Sequence, residues 1–113
     1  MGINPGGVIV GTYVGAACQH FHGFLRSPDG TFTTIDLPGA SDTDPNAINP
    51  AGVITGIVNF FHGFWRAPNG TFSKFDVPGA VYGLVPAALN PPGTVTGYWF
   101  HVNGATHGFL WLP

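Results

Sequence analysis

The chain aligns on itself, and nothing else in it constrains the fold as much. The first copy reads INPGGVIVGTYV and then HGFLRSPDGTFTTIDLPGA. The second reads INPAGVITGIVN and then HGFWRAPNGTFSKFDVPGA, and the third LNPPGTVTGYWF and then HGFLWLP. Asn4, Asn49 and Asn90 open the copies at spacings of 45 and 41 residues, while His22, His62 and His107 recur at spacings of 40 and 45. A period of this size marks stacked units, each too small to bury its own apolar faces. The length differences collect in one segment, between Gly11 and His22, Gly56 and His62, and Gly97 and His107. The chain therefore divides into repeat 1 (1–45), repeat 2 (46–85) and a partial repeat 3 (86–113) within one domain.

Each unit reads as four strands. Strand A ends at Ile-Asn, as in Ala47-Ile48-Asn49, and the Asn-Pro-x-Gly that follows is turn chemistry. Strand B covers Val8 to Val14, Val53 to Asn59 and Thr94 to Phe100, rich in β-branched residues. Strand C begins at His-Gly-Phe. Pro28-Asp29-Gly30 and Pro68-Asn69-Gly70 close hairpins into strand D, Thr31 to Leu37 and Thr71 to Val77, which Pro38 and Pro78 end. A hairpin centred on Asp29-Gly30 sets Phe24 opposite Ile35 and Gly23 opposite Asp36. The second unit then sets Phe64 opposite Phe75 and Gly63 opposite Asp76. Gly11, Gly56 and Gly97 fall inside strand B, where glycine marks close approach of another backbone. With 18 Gly and 11 Pro a low-complexity chain would be disordered, but 10 Phe, 3 Tyr and 3 Trp sit between them at regular spacing. No helical periodicity survives.

The expected fold is all-β: propeller-type blades of four-stranded antiparallel sheets, about three per chain, the last without its strand D. A β-trefoil or β-prism is the runner-up, since both build threefold pseudosymmetry from three such units. Three blades leave two apolar faces open. Two copies would supply six blades, within the roughly four to eight of closed rings. A homodimer is thus the expected partner, and isolated monomers are expected to be unstable.

Only 7% of the residues are charged and the formal net charge is −2. Three basic residues cannot neutralise a row of phosphates, so nucleic acid is not an expected partner. Attachment to an anionic membrane is disfavoured for the same reason. No apolar run reaches the roughly 18 residues of a membrane span, so no membrane insertion is expected. Met-Gly-Ile-Asn-Pro shows neither a basic nor an apolar leader region, so no signal peptide is expected in this chain. The low charge nonetheless suits an extracellular or cell-surface protein. Cys18 is the single cysteine, which excludes an intrachain disulfide, and it reads as a loop residue.

The stretch His22-Gly23-Phe24-Leu25, with Asp29-Gly30-Thr31-Phe32 and Asp36-Leu37-Pro38-Gly39-Ala40, resembles bacterial HAF-type repeats of extracellular proteins. The resemblance covers essentially the whole chain. It implies a β-propeller-type array and supplies no catalytic residues. The departure is in number: such arrays run to more units, and three are too few to close a propeller.

Five histidines could carry chemistry. His22, His62 and His107 hold one repeat position, with Asp36 and Asp76 diagonally across the hairpin from the first two. A His–Asp pair repeated in successive units is scaffold, pinning strand C to the exit of strand D. The contribution expected of each buried bond is about 1.5–3 kcal/mol. No serine or cysteine recurs beside them, so no nucleophile is set up and no enzyme is expected. His20 and His22 share a strand face but lack a third ligand, so neither a metal nor a cofactor is expected. Arg26 and Arg66 read as solvated residues whose stems cover apolar surface. Lys74 reads as surface. Asn69-Gly70-Thr71 fits the glycosylation acceptor pattern, but the hairpin turn already accounts for it.

Trp65, Trp99, Trp111, Tyr13, Tyr82 and Tyr98 could stack on sugar rings or fill blade junctions. Function is expected in the variable B–C segments, Gly15 to Phe21, Asn59 to Phe61 and Phe100 to Thr106, because loops on a rigid scaffold are free to diverge. The expected ligand site is carbohydrate-binding and lectin-like, built from Trp99, Tyr98 and His101 with His20. The alternative is a structural, self-assembling protein with no small ligand.

Overall fold

The computed structural model describes residues 1–15, 20–80 and 83–113, and their regular structure is entirely β. Blade 1 comprises β1 (Gly2–Ile3), β2 (Ile9–Val14), β3 (Phe21–Arg26) and β4 (Phe32–Ile35). Blade 2 comprises β5 (Thr43–Ile48), β6 (Ile54–Val58), β7 (His62–Arg66) and β8 (Phe72–Phe75). Blade 3 comprises β9 (Leu84–Leu89), β10 (Val95–Phe100) and β11 (Thr106–Trp111). Each is an antiparallel meander with its strands in sequence order. Separate sheets stacked face to face are blades, which sets the trefoil and prism aside. Cys18 and Tyr82 lie outside the described residues.

The hairpins differ from expectation by one residue. Ser27 donates its N–H to the Thr31 carbonyl and Gly30 donates to the Ser27 carbonyl, both at 2.9 Å. Pro28 and Asp29 form the turn and Gly30, at φ +92°, makes a left-handed bulge. That is the three-residue hairpin loop rather than the two-residue one. Ala67, Gly70 and Thr71 repeat the pattern. Gly23 therefore pairs with Ile35 and Phe24 with Thr34, while Gly63 pairs with Phe75 and Phe64 with Lys74. A shift of one residue turns the partner side chains to the other face. It brings the Phe75 ring over Gly63, where any Cβ would collide with it. The N–H of Thr31, 2.9 Å from Asp29, holds that carboxyl below the ordinary carboxylate range. This turn contribution is present above the unfolded-state value and is lost as pH falls through the lowered one.

The core is two layers between blades. Val10, Ile35 and Leu37 of blade 1 meet Ile48, Ile54, Val58 and Phe64 of blade 2. Phe75 of blade 2 meets Leu84 and Val95 of blade 3, flanked by Trp65, Trp99, Phe109 and Trp111. Phe75 and Trp111 stack with centroids 4.7 Å apart. Two of the three glycines inside strand B meet the close backbone expected of them, whereas Gly11 faces the Phe24 ring. A Cβ on Gly56 or Gly97 would strike the carbonyl oxygen of Asp44 or Val85, where the neighbouring strand bulges after Pro45 and after Pro86. Proline, lacking an N–H, is tolerated at such a bulge.

The asparagine of each Asn-Pro does more than open a turn. Its Oδ1 accepts the N–H of Val8, Val53 or Thr94, at 3.0, 2.9 and 2.8 Å. Its Nδ2 reaches the next blade: Asn4 donates to the Asn49 carbonyl at 3.2 Å, and Asn49 donates to the carbonyls of Asn90 and Pro91 at 3.1 Å each. The recurrence of asparagine thus records a ladder running from blade to blade.

Candidate functional site

A cleft of about 230 Å³ opens between blades 1 and 2, lined by Thr12, Phe21, Asp42, Asp44, Ile57 and Phe60. Elements far apart in sequence meet here. Thr12 comes from β2, Phe21 opens β3, Asp44 lies near the start of β5, and Phe60 caps the short loop after β6. Asp42 accepts the Phe21 N–H at 2.7 Å, and His20 Nδ1 lies 3.7 Å from its other oxygen. The Thr12 hydroxyl donates to Asp44. Asn59 locks the loop, its Oδ1 accepting the N–H groups of Ser41 and Asp42 at 2.9 and 3.2 Å. Its own N–H donates to the Asp42 carbonyl at 2.9 Å. Beyond it, Phe60 is held at φ +69°, a left-handed conformation that bulky residues rarely adopt.

The carboxylates occur once. At the next junction Phe100 donates its N–H to the Gly83 carbonyl, as Asn59 does to Asp42, so Gly83 stands where Asp42 stood. Val85 precedes Pro86 as Asp44 precedes Pro45. Sequence reasoning missed both aspartates because it looked for divergence only in the B–C segments. The signal was there, in Asp42-Thr43-Asp44-Pro45 against Gly83-Leu84-Val85-Pro86.

Of the four residues expected to share one ligand site, Trp99 and His101 lie together, while Tyr98 and His20 lie apart from them. Trp99 stacks on His107 with centroids 4.7 Å apart and touches His101 at 5.8 Å, within the blade 2–3 junction. Tyr98 points to the other face of the same strand and meets Phe100 edge-on at 5.7 Å. His20 belongs to the blade 1–2 cleft beside Asp42. His20 and His22 go to different carboxylates and do not converge. Arg66 lies over the Phe72 ring at 5.9 Å, covering apolar surface as expected.

The recurring pairs form: His22 Nδ1 is 2.9 Å from Asp36 and His62 Nδ1 is 2.5 Å from Asp76. Asp36 also accepts the Gly23 N–H at 3.3 Å. Both pairs are wetter than the sequence suggested, with the aspartate side chains 38% and 63% exposed. Water screens such pairs, so Asp36→Ala and Asp76→Ala are each expected to cost about 0.2–1 kcal/mol rather than the value of a buried bond. Urea titration of the two variants checks this, and a loss of about 3 kcal/mol would show that the pairs are desolvated in solution.

No family model and no curated protein matches the chain. Among solved structures, selenomethionine-substituted virginiamycin B lyase from Staphylococcus aureus is similar with a TM-score of 0.56 at 14% identity, over 95% of this chain and 39% of that one. A streptogramin B lyase structure gives a TM-score of 0.49 at 15% identity, over 92% of this chain and 40% of that one. The likeness to the first shows the fold, propeller-type blades, and the chain spans about two-fifths of that protein's length. It also removes the ground for expecting no enzyme, since the Staphylococcus aureus protein of similar fold is a lyase.

Proposed function

We propose that the chain is a propeller-type module that binds a carbohydrate between its first two blades and completes its ring with a second copy of itself. The cleft at Asp42 and Asp44 carries the first half of the reading. Phe21 and Phe60 are exposed beside it and give flat apolar faces, while two carboxylates, Thr12 and His20 supply partners for hydroxyls. Two carboxylates repel an acidic sugar, so the ligand is a neutral or amino sugar. The strain at Phe60 supports the same reading. A bulky residue held left-handed costs about 1–3 kcal/mol and concentrates at functional sites.

Phe60→Gly removes both the ring and the strain. The variant is expected to be as stable as the parent or up to about 1 kcal/mol more stable. Its affinity for sugar falls about tenfold or more. Thermal melts and calorimetric titration with neutral hexoses and hexosamines read the two effects separately. A wild-type chain that binds none of these sugars, or a glycine variant that binds as well as wild type, overturns the reading. The ring is read by native mass spectrometry, which is expected to give twice the 11.8 kDa of one chain.

A further inference from the structure

A ring of two copies requires particular faces to meet, and the repeat supplies them. Blades 1 and 2 carry the same apolar set on the face that looks back along the array. In blade 2 this set is Ile54, Phe64 and Phe72, the first two fully buried and the third half-buried in the same layer. Its counterpart in blade 1 is Ile9, Phe24 and Phe32, identical in residue type. There the set is left open, with Phe32 64% exposed. Hollows of about 280 Å³ beside Phe24 and Phe32 and about 350 Å³ beside Ile3 and Ile9 indent this face.

The other end of the array is open in the complementary sense. Leu25 of blade 1 and Trp65 of blade 2 pack into the layer shared with the following blade. Leu110, at the same position of blade 3, is 66% exposed. The asparagine ladder stops at the same place. Asn4 and Asn49 each donate Nδ2 to a carbonyl of the next blade, whereas Asn90 is exposed and its Nδ2 meets no acceptor among the described residues.

Building on the proposed ring, we infer that the forward face of blade 3 docks on the backward face of blade 1 of a second copy, with the Asn90 carboxamide donating to that copy's Asn4 carbonyl. The contact repeats the two layers already inside the chain, so its occupant is another blade of this repeat. It is head-to-tail, and two such junctions close a ring with a twofold along its axis.

Two substitutions at exposed positions test the polarity. Phe32→Asp blocks the backward face of blade 1 and Leu110→Asp blocks the forward face of blade 3. By sedimentation velocity neither variant alone forms a dimer. Mixing the two restores a heterodimer through the one junction that is intact on both sides. Asn90→Asp keeps the oxygen that accepts the Thr94 N–H but removes the Nδ2 donor, and it raises the dimer dissociation constant about tenfold. A wild-type chain that sediments as a monomer overturns the ring and this inference together. A wild-type dimer that survives either blocking substitution alone, or a mixture that fails to associate, leaves the ring standing and overturns the head-to-tail assignment. An Asn90→Asp dimer as tight as wild type overturns the ladder contact.

Discussion

Phe64→Ala is expected to lower the free energy of unfolding by about 3–5 kcal/mol, the range for emptying a large aromatic site in a closed core. Phe64 is fully buried between blades 1 and 2, in the layer with Val10, Ile35, Ile54 and Val58. Its ring also contacts Phe72 at 5.8 Å. Strand pairing fixes the sheets on both sides, so the cavity cannot close by a small shift of one side chain. The repeat provides an internal control. Phe24 holds the same position in blade 1, is only half-buried, and meets Phe32 at 5.6 Å. Phe24→Ala removes less packing and is expected to cost about 1–2 kcal/mol within one chain. Urea unfolding of both variants compares them directly. A Phe64→Ala loss below about 1 kcal/mol would show that the layer is not packed as described. An equal loss at the two positions would show that Phe24 is also buried in solution, as docking of a second copy would make it.

Asn49→Ala is the second large effect, expected at about 3 kcal/mol because one buried side chain makes three hydrogen bonds, two of them across a blade junction. Asn49 is 1% exposed. Its Oδ1 serves the Val53 N–H, and its Nδ2 serves the carbonyls of Asn90 and Pro91. Alanine leaves the buried Val53 N–H without a partner and removes the inter-blade bonds to the Asn90 and Pro91 carbonyls, the first of which keeps the Gly93 N–H. The loss falls on a blade junction as well as a turn, so it weakens the stacking of blades 2 and 3. Within a single chain Asn90→Ala should cost much less, because Asn90 is exposed there and water replaces its bond to Thr94. Chemical denaturation again decides. An Asn49→Ala loss below about 1 kcal/mol would mean that the inter-blade bonds are worth nothing measurable.

Scaffold and candidate site separate along the repeat. Positions that recur, such as the asparagine ladder, the His–Asp pairs and the glycine under Phe75, satisfy demands that every blade shares. Positions that occur once, Asp42 and Asp44 with the strained Phe60, satisfy no such demand. Phe60 sits in a B–C segment, where divergence was expected. The two aspartates sit at the start of an otherwise recurring strand, and there the repeat concealed them.

What the sequence determined by itself was local. Pro-Asp-Gly and Pro-Asn-Gly had to turn, β-branched runs had to extend, and the Gly56 and Gly97 positions had to admit a neighbouring backbone, because dihedral preference and side-chain volume act within a few residues. The His22–Asp36 pairing was legible for the same reason, since one hairpin joins the two residues. Only the tertiary structure decided the hairpin register. Two turn geometries suit the same Pro-x-Gly, and the alignment of Ile35 and Phe75 with the layer toward the next blade accompanies the three-residue one. Only the tertiary structure, too, separated Trp99 from His20 and gathered Thr12, Phe21, Asp42, Asp44 and Phe60 at one cleft. Which faces of two blades meet depends on how their apolar surfaces pack, and no spacing along the chain encodes that distance.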